Sequence, residues 1–126
     1  MKSKANEIEL ELERFYGSEM RYPIPILRTW FTDGIKYLME AAECFWLVLD
    51  TSTIGKSLMD KSRFITVDFR KCLETEVERP ESTAVIEYSD GNGNILETHK
   101  YNFTDFPLDR IRLYFIDDTL MLTSEY

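Results

Sequence analysis

The chain reads as an α+β domain: an antiparallel β-sheet of four to six strands, with two or three N-terminal helices packed on one face. Two observations predict this. Apolar residues recur at helical spacing up to about Leu58, and from Arg63 onward β-branched and aromatic residues alternate at a period of two. The strand runs also follow one another through short turns, as antiparallel neighbours do. With 126 residues, 44% of them hydrophobic, the chain can bury one core, and residues 1–126 read as a single domain without repeat, low-complexity tract or linker.

Residues 5–16 admit a strand, because Glu7, Glu9, Glu11 and Glu13 alternate with Ile8, Leu10 and Leu12. A helix fits better: Ile8, Leu12 and Phe15 fall at i, i+4 and i+7, and Gly17 stands where a helix-ending glycine would. Arg21 to Phe31 reads as one edge strand or extended arm, since Pro23 and Pro25 remove ladder donors. Thr32-Asp33-Gly34 then makes a turn in which Thr32 or Asp33 caps a helix from Ile35 to Ala42, with Ile35, Leu38 and Met39 on one face. A further helix, Cys44 to Leu58, carries Phe45 and Leu49 beside a stripe of Trp46, Leu47, Asp50 and Ile54. Strands follow at Phe64–Phe69, Thr83–Tyr88, Ile95–Phe103, Ile111–Ile116 and Thr119–Leu122. Asp90-Gly91-Asn92-Gly93-Asn94 and Asp117-Asp118 supply hairpin turns.

The net charge is −8, and its excess is C-terminal: residues 1–62 carry 8 basic and 10 acidic side chains, residues 63–126 carry 7 and 13. Gripping a phosphate backbone takes clustered Lys or Arg, so direct nucleic-acid binding is not expected. An acidic chain suits a basic protein partner instead. The longest apolar cluster, around Cys44 to Leu49, is far short of the roughly 20 residues that span a bilayer, so no membrane segment is expected. Met1-Lys2-Ser3-Lys4 runs into alternating Glu and aliphatic residues without an apolar stretch, so no signal peptide is read and the cytoplasm is the expected compartment. Cys44 and Cys72 lack metal-type spacing and read as two free, buried thiols.

Candidate chemistry is sparse. Ile54-Gly55-Lys56-Ser57 ends like a phosphate-binding loop, but Asp50 stands where the first glycine is needed, and a carboxylate there repels phosphate. Asp90, Asn92 and Asn94 match the first ligands of a calcium loop, whose later glycine and glutamate are here Ile95 and Tyr101. His99 is the single histidine, which rules out a multi-histidine metal site within one chain and leaves only Cys44 or Cys72 as a thiol partner. Most of Phe45, Trp46, Phe64, Phe69, Tyr88 and Tyr114 are assigned to the core. No catalytic residue, metal ligand or cofactor is assigned.

Binding residues are easier to nominate. Glu74, Glu76 and Glu78, followed by Glu81, alternate so as to present carboxylates on one side of a strand end, a surface suited to a basic groove. Tyr22, Trp30 and Tyr126, near edges or termini, are interface candidates. A ligand reading uses Arg110 and Arg112 on a phosphate, with Asp33 and Asp105 beside them. A third reading, a carboxylate-dependent hydrolase with a metal, uses turn aspartates such as Asp33 and Asp105. Edge strands and the proline-bearing arm leave surface for a second copy, so a homodimer is expected.

Several segments resemble an uncharacterised family of small bacterial and phage-associated proteins. They are Glu13 to Ser18, Phe31-Thr32-Asp33-Gly34-Ile35-Lys36-Tyr37-Leu38, Phe45-Trp46-Leu47, Asp90 to Asn94, Tyr101 to Leu108, and Ser124-Glu125-Tyr126. The resemblance brings no catalytic residues. It implies a setting among mobile elements, where small acidic proteins act as counter-defence inhibitors in the manner of anti-CRISPR proteins. The expected function is therefore non-enzymatic: a binding protein that occludes a basic nucleic-acid-binding surface of a host protein. Sequestration of a nucleotide signal is the alternative.

Overall fold

The computed structural model describes residues 4–16, 20–71, 84–101 and 106–126. Among these residues three helices, α1 (Lys4–Leu12), α2 (Asp33–Ala41) and α3 (Phe45–Leu58), accompany seven strands. The strands are β1 (Arg21–Ile24), β2 (Thr29–Thr32), β3 (Phe64–Lys71), β4 (Ala84–Ser89), β5 (Ile95–Tyr101), β6 (Arg110–Ile116) and β7 (Thr119–Leu122), closed by a 3-10 turn at Thr123–Glu125. They form one sheet in the order β1-β2-β7-β6-β3-β4-β5. Every neighbouring pair is antiparallel except β2 and β7, which run parallel.

The α+β class holds, with three corrections. Among the described residues the sheet has seven strands rather than four to six; it is mostly antiparallel, as expected, with one parallel pair, β2 and β7. The arm at Arg21–Phe31 is a hairpin, not a single strand. Residues 25–28 turn the chain, with the Leu27 and Arg28 amides donating to the Ile24 and Pro25 carbonyls and Arg28 at a positive φ. Pro23 lies on β1, an edge, where a missing donor is tolerated. The helices are consequently not all ahead of the strands, because this hairpin separates α1 from α2.

Alternation in the central strands divides the sheet into two faces. Ile65, Val67 and Phe69 of β3, Leu113 and Phe115 of β6, Ile86 and Tyr88 of β4, and Leu120 of β7 are buried in the core with Ile35, Leu38, Leu47, Val48 and Leu58 from the helices. α2 packs on β2 and β7, α3 on β3 and β7, and α1 on α2. The seat of α3 is made by small residues: Thr51, Ser52 and Gly55 are buried on the same side as Leu47 and Val48. A Cβ at Gly55 would lie 2.8 Å from the Phe115 ring, so glycine is what lets helix and sheet approach this closely. Of the stripes read from the sequence, Leu47 is buried and Trp46, Leu49 and Ile54 pack on the core partly buried, whereas Phe45 is exposed and Asp50 is partly exposed.

Both hairpin turns form as expected. Asp117 and Asp118 both have positive φ, the backbone of a two-residue type I′ turn that aspartate tolerates. Asp118 also accepts the Trp30 amide at 2.8 Å through its carbonyl and meets Lys56 Nζ at 2.9 Å through its carboxylate. The residue resembling a phosphate-binding lysine is thus a helix-to-turn tether. The Asp90 carboxylate accepts from the Asn92 amide and the Asn94 side chain, both at 2.8 Å, so this segment is an Asx-type turn closed on itself. Cys44 is buried, its thiol donating to the Leu38 carbonyl at 3.6 Å, whereas Cys72 lies outside the described residues.

Candidate binding face

The second face of the sheet carries what the core alternation leaves over. Phe64, Thr66, Asp68 and Arg70 of β3 register with Ile116, Tyr114, Arg112 and Arg110 of β6. On the other side of β3, Thr66 and Asp68 register with Ser89 and Glu87 of β4. Residues on one rung share a face, so this surface has an aromatic end and a charged end. Phe64 to Arg70 spans about 20 Å at the rise of an extended strand.

At the aromatic end the rings of Phe64 and Tyr114 lie 4.9 Å apart, and Tyr126 stands edge-on to each at 5.6 Å. Tyr126 is 76% exposed, which makes it the most accessible member of the cluster. The assignment of Phe64 and Tyr114 to the core is corrected: both are partly buried against each other on the second face. Thr66 and Ser89 are hydrogen-bonded side by side in the middle of the face.

At the charged end Arg112 donates to Asp68 through Nε at 2.6 Å and through a terminal nitrogen at 3.2 Å. This two-point pairing holds the Arg112 pKa above its ordinary value, chiefly through the hydrogen bond to Asp68. One rung further, Arg70 and Arg110 stand directly opposite each other, and Lys100 lies beyond Val85 on the same row. A basin of about 500 Å³ is lined by Asp68, Phe69, Arg70, Glu87, Arg110, Ile111 and Arg112. Among the described residues lining it, three arginines outnumber two carboxylates, in a chain of net charge −8.

The nominated residues fare unevenly. Arg110 and Arg112 come together here, but Arg112 is bound to Asp68. Asp33 is not beside them: it opens α2 and accepts the Tyr22 hydroxyl at 2.9 Å, a bond that raises the Tyr22 pKa. Tyr22 also stacks on Phe31 at 5.5 Å, with Lys36 Nζ 4.8 Å from its ring, so it anchors the β1–α2 junction and is not a free interface ring. Trp30 is 37% exposed, with the Arg21 guanidinium 4.9 Å above it. Glu74, Glu76, Glu78, Glu81 and Asp105 lie outside the described residues.

Asp68, Arg70 and Glu87 went unnominated, although their period-two placement between Val67, Phe69, Ile86 and Tyr88 marks them as the outward set. A second polar cluster sits on the core side near β5. The Tyr101 hydroxyl donates to Asp50 at 3.2 Å, the His99 and Glu97 side chains meet at 2.6 Å, and Tyr88 packs edge-on to His99 at 5.7 Å. Burial raises the pKa of Tyr88 and Tyr101 well above the ordinary tyrosine value, so both hydroxyls stay protonated donors. Among the described residues no group of three or more His, Cys, Asp or Glu is placed to hold a metal ion. No helix among them is long and apolar enough to cross a membrane.

These features define a small α+β domain with helices on one sheet face and a mixed aromatic and charged surface on the other. The chain belongs to DUF6876, a family of unknown function whose pattern covers residues 6–126. No curated protein and no solved structure matches it.

Proposed function

We propose that this is a non-enzymatic binding protein that engages a protein partner through the second sheet face. The carrying observation is Arg110, exposed at the charged end of the face beside the Arg112–Asp68 pair. A guanidinium placed there suits a carboxylate or phosphate, because it offers a planar fork of donors. The aromatic cluster at the other end supplies apolar contact of the kind that anchors interfaces. A partner with an acidic or phosphorylated segment next to an apolar patch matches both ends.

Inhibition by occupancy, as counter-defence proteins inhibit, follows directly if that partner is a host effector. Occlusion of a basic groove by Glu74, Glu76, Glu78 and Glu81 is a second reading, supported by the net charge of −8. It calls on a different surface and the opposite partner charge. A nucleotide-sequestering role would use the charged end alone, with Arg110 on the phosphate, since the aromatic cluster is too far away to stack on the base of the same mononucleotide.

The test is capture from nuclease-treated host lysate, identification of the retained protein, and measurement of its affinity for three variants. Arg110→Glu and Tyr126→Ala should each weaken the complex about tenfold or more, and Trp30→Ala should leave it unchanged. Retention of full affinity by both of the first two variants would overturn the proposal.

A further inference from the structure

The two edges of the sheet are finished differently. β1 is four residues long and bears Pro23, which removes a donor and discourages a further strand. β5, at the other edge, is seven residues long, contains no proline, and among the described residues has β4 as its one sheet neighbour. Its register shifts opposite Tyr88 and Ser89, which leaves Glu97 to Tyr101 regularly paired on the inner side.

The residue order of β5 is self-complementary about Thr98. A twofold axis through Thr98, perpendicular to the sheet, lays a second β5 antiparallel to the first. Glu97 then faces His99 of the second copy, and His99 faces Glu97 of the second copy. An axis through Glu97 or His99 instead sets carboxylate on carboxylate or imidazole on imidazole, so the side chains select one register. Within the strand Glu97 and His99 already meet on the helix side of the sheet, and the second copy extends this pair into a ring of four.

We infer that the occupant of the β5 edge is a second copy of this chain, giving a twofold dimer with one continuous sheet. Both helical layers then lie on one side and both binding faces on the other. The inference stands independently of the proposed function, because it uses the edge of the sheet and not its face.

The test is sedimentation of the full chain with Glu97→Lys and His99→Glu, alone and mixed. Wild type sediments as a dimer at micromolar concentration. Each variant alone puts like charges across the axis, or a lysine against the imidazole, and weakens dimerisation about tenfold. The equimolar mixture restores the dimer. The lysine introduced at position 97 of one chain then faces the glutamate introduced at position 99 of the other, and the remaining His99 faces the remaining Glu97. The pair within each strand stays mismatched in the mixture, so it cannot account for a recovery. Circular dichroism checks that both variants are folded, as expected for changes at an exposed edge. A monomeric wild type, variants that dimerise as wild type does, or a folded mixture no better than its components would each overturn the inference.

Discussion

The Glu125 carboxylate binds the N-terminus of α2 from some ninety residues away: it accepts from the Thr32 hydroxyl at 2.6 Å and from the Gly34 amide at 3.1 Å. A third donor, the Leu122 amide at 3.0 Å, fixes the carboxylate to its own 3-10 turn. Thr32 in turn accepts from the Ile35 amide at 3.4 Å, so it caps the helix while donating to Glu125. The Thr32-Asp33-Gly34 and Ser124-Glu125-Tyr126 segments, both part of the family resemblance, are therefore one structural unit. Glu125 is thus a strut, and its negative charge also suits the positive end of the helix dipole.

Glu125→Ala should destabilise the fold by about 3 kcal/mol, because it strands buried donors on Thr32, Gly34 and Leu122. Glu125→Gln keeps one carbonyl acceptor but turns an amide group toward one of the three donors, and should cost roughly half as much. Urea unfolding followed by circular dichroism measures both. Equal stability of Glu125→Ala and wild type would show that the tie carries no net energy.

Gly34→Ala should be destabilising although alanine is normally favoured over glycine in a helix by about 1 kcal/mol. Its Cβ would sit 2.4 Å from Glu125 Oε1 and 2.5 Å from Leu122 Cδ1, forcing the carboxylate out of its three hydrogen bonds. Since both substitutions break one tie, Gly34→Ala with Glu125→Ala should cost less than the two added together. Additive unfolding free energies would contradict that coupling.

Much of the fold was legible because its signals were local. Thr119–Leu122 is a strand at the expected bounds, and the two hairpin turns fall at Asp90–Asn94 and Asp117–Asp118, since turn chemistry is encoded in adjacent residues. The small-residue seat of α3 was not legible, because Thr51, Ser52 and Gly55 are buried for their size and carry no hydrophobic signature. Nor was the Arg21–Thr32 hairpin, where Pro23 and Pro25 mask the turn and Arg28 takes a backbone usually left to glycine. The binding face was half visible. Arg110 and Arg112 stood out, but bringing Asp68 and Arg70 against them depends on a pairing between β3 and β6, which are far apart along the chain.

The Asp90 turn should show a pH signature. Hydrogen bonds from the Asn94 side chain and the Asn92 amide lower the Asp90 pKa in the folded protein. The stabilisation is therefore complete above the unfolded-state pKa of aspartate and is lost as pH falls through the lower folded value. Asp90→Asn removes the titration while keeping an acceptor. The melting temperature of wild type should exceed that of the variant at neutral pH, and the gap should close in acid. A gap that does not change with pH would contradict the assignment.

Arg112→Ala tests whether the Arg112–Asp68 pair is mainly structural or mainly an interface element. The pair is exposed on one side, so folding stability should fall by no more than about 1 kcal/mol. Partner binding should fall further, because the variant removes one positive charge from the face and releases the Asp68 carboxylate to repel an acidic partner segment. A stability loss well above that figure, with binding unchanged, would reassign the pair to the scaffold.

The most direct test of the central claim is the association rate of the captured partner at low and physiological salt, for wild type, Arg110→Glu, and a variant with Glu74, Glu76, Glu78 and Glu81 all changed to Lys. If the sheet face is the contact surface, Arg110→Glu slows association about tenfold at low salt and flattens the salt dependence, whereas the fourfold Lys variant associates at least as fast as wild type. Wild-type rates for Arg110→Glu, together with loss of association in the fourfold Lys variant, would contradict the account and assign binding to the acidic segment.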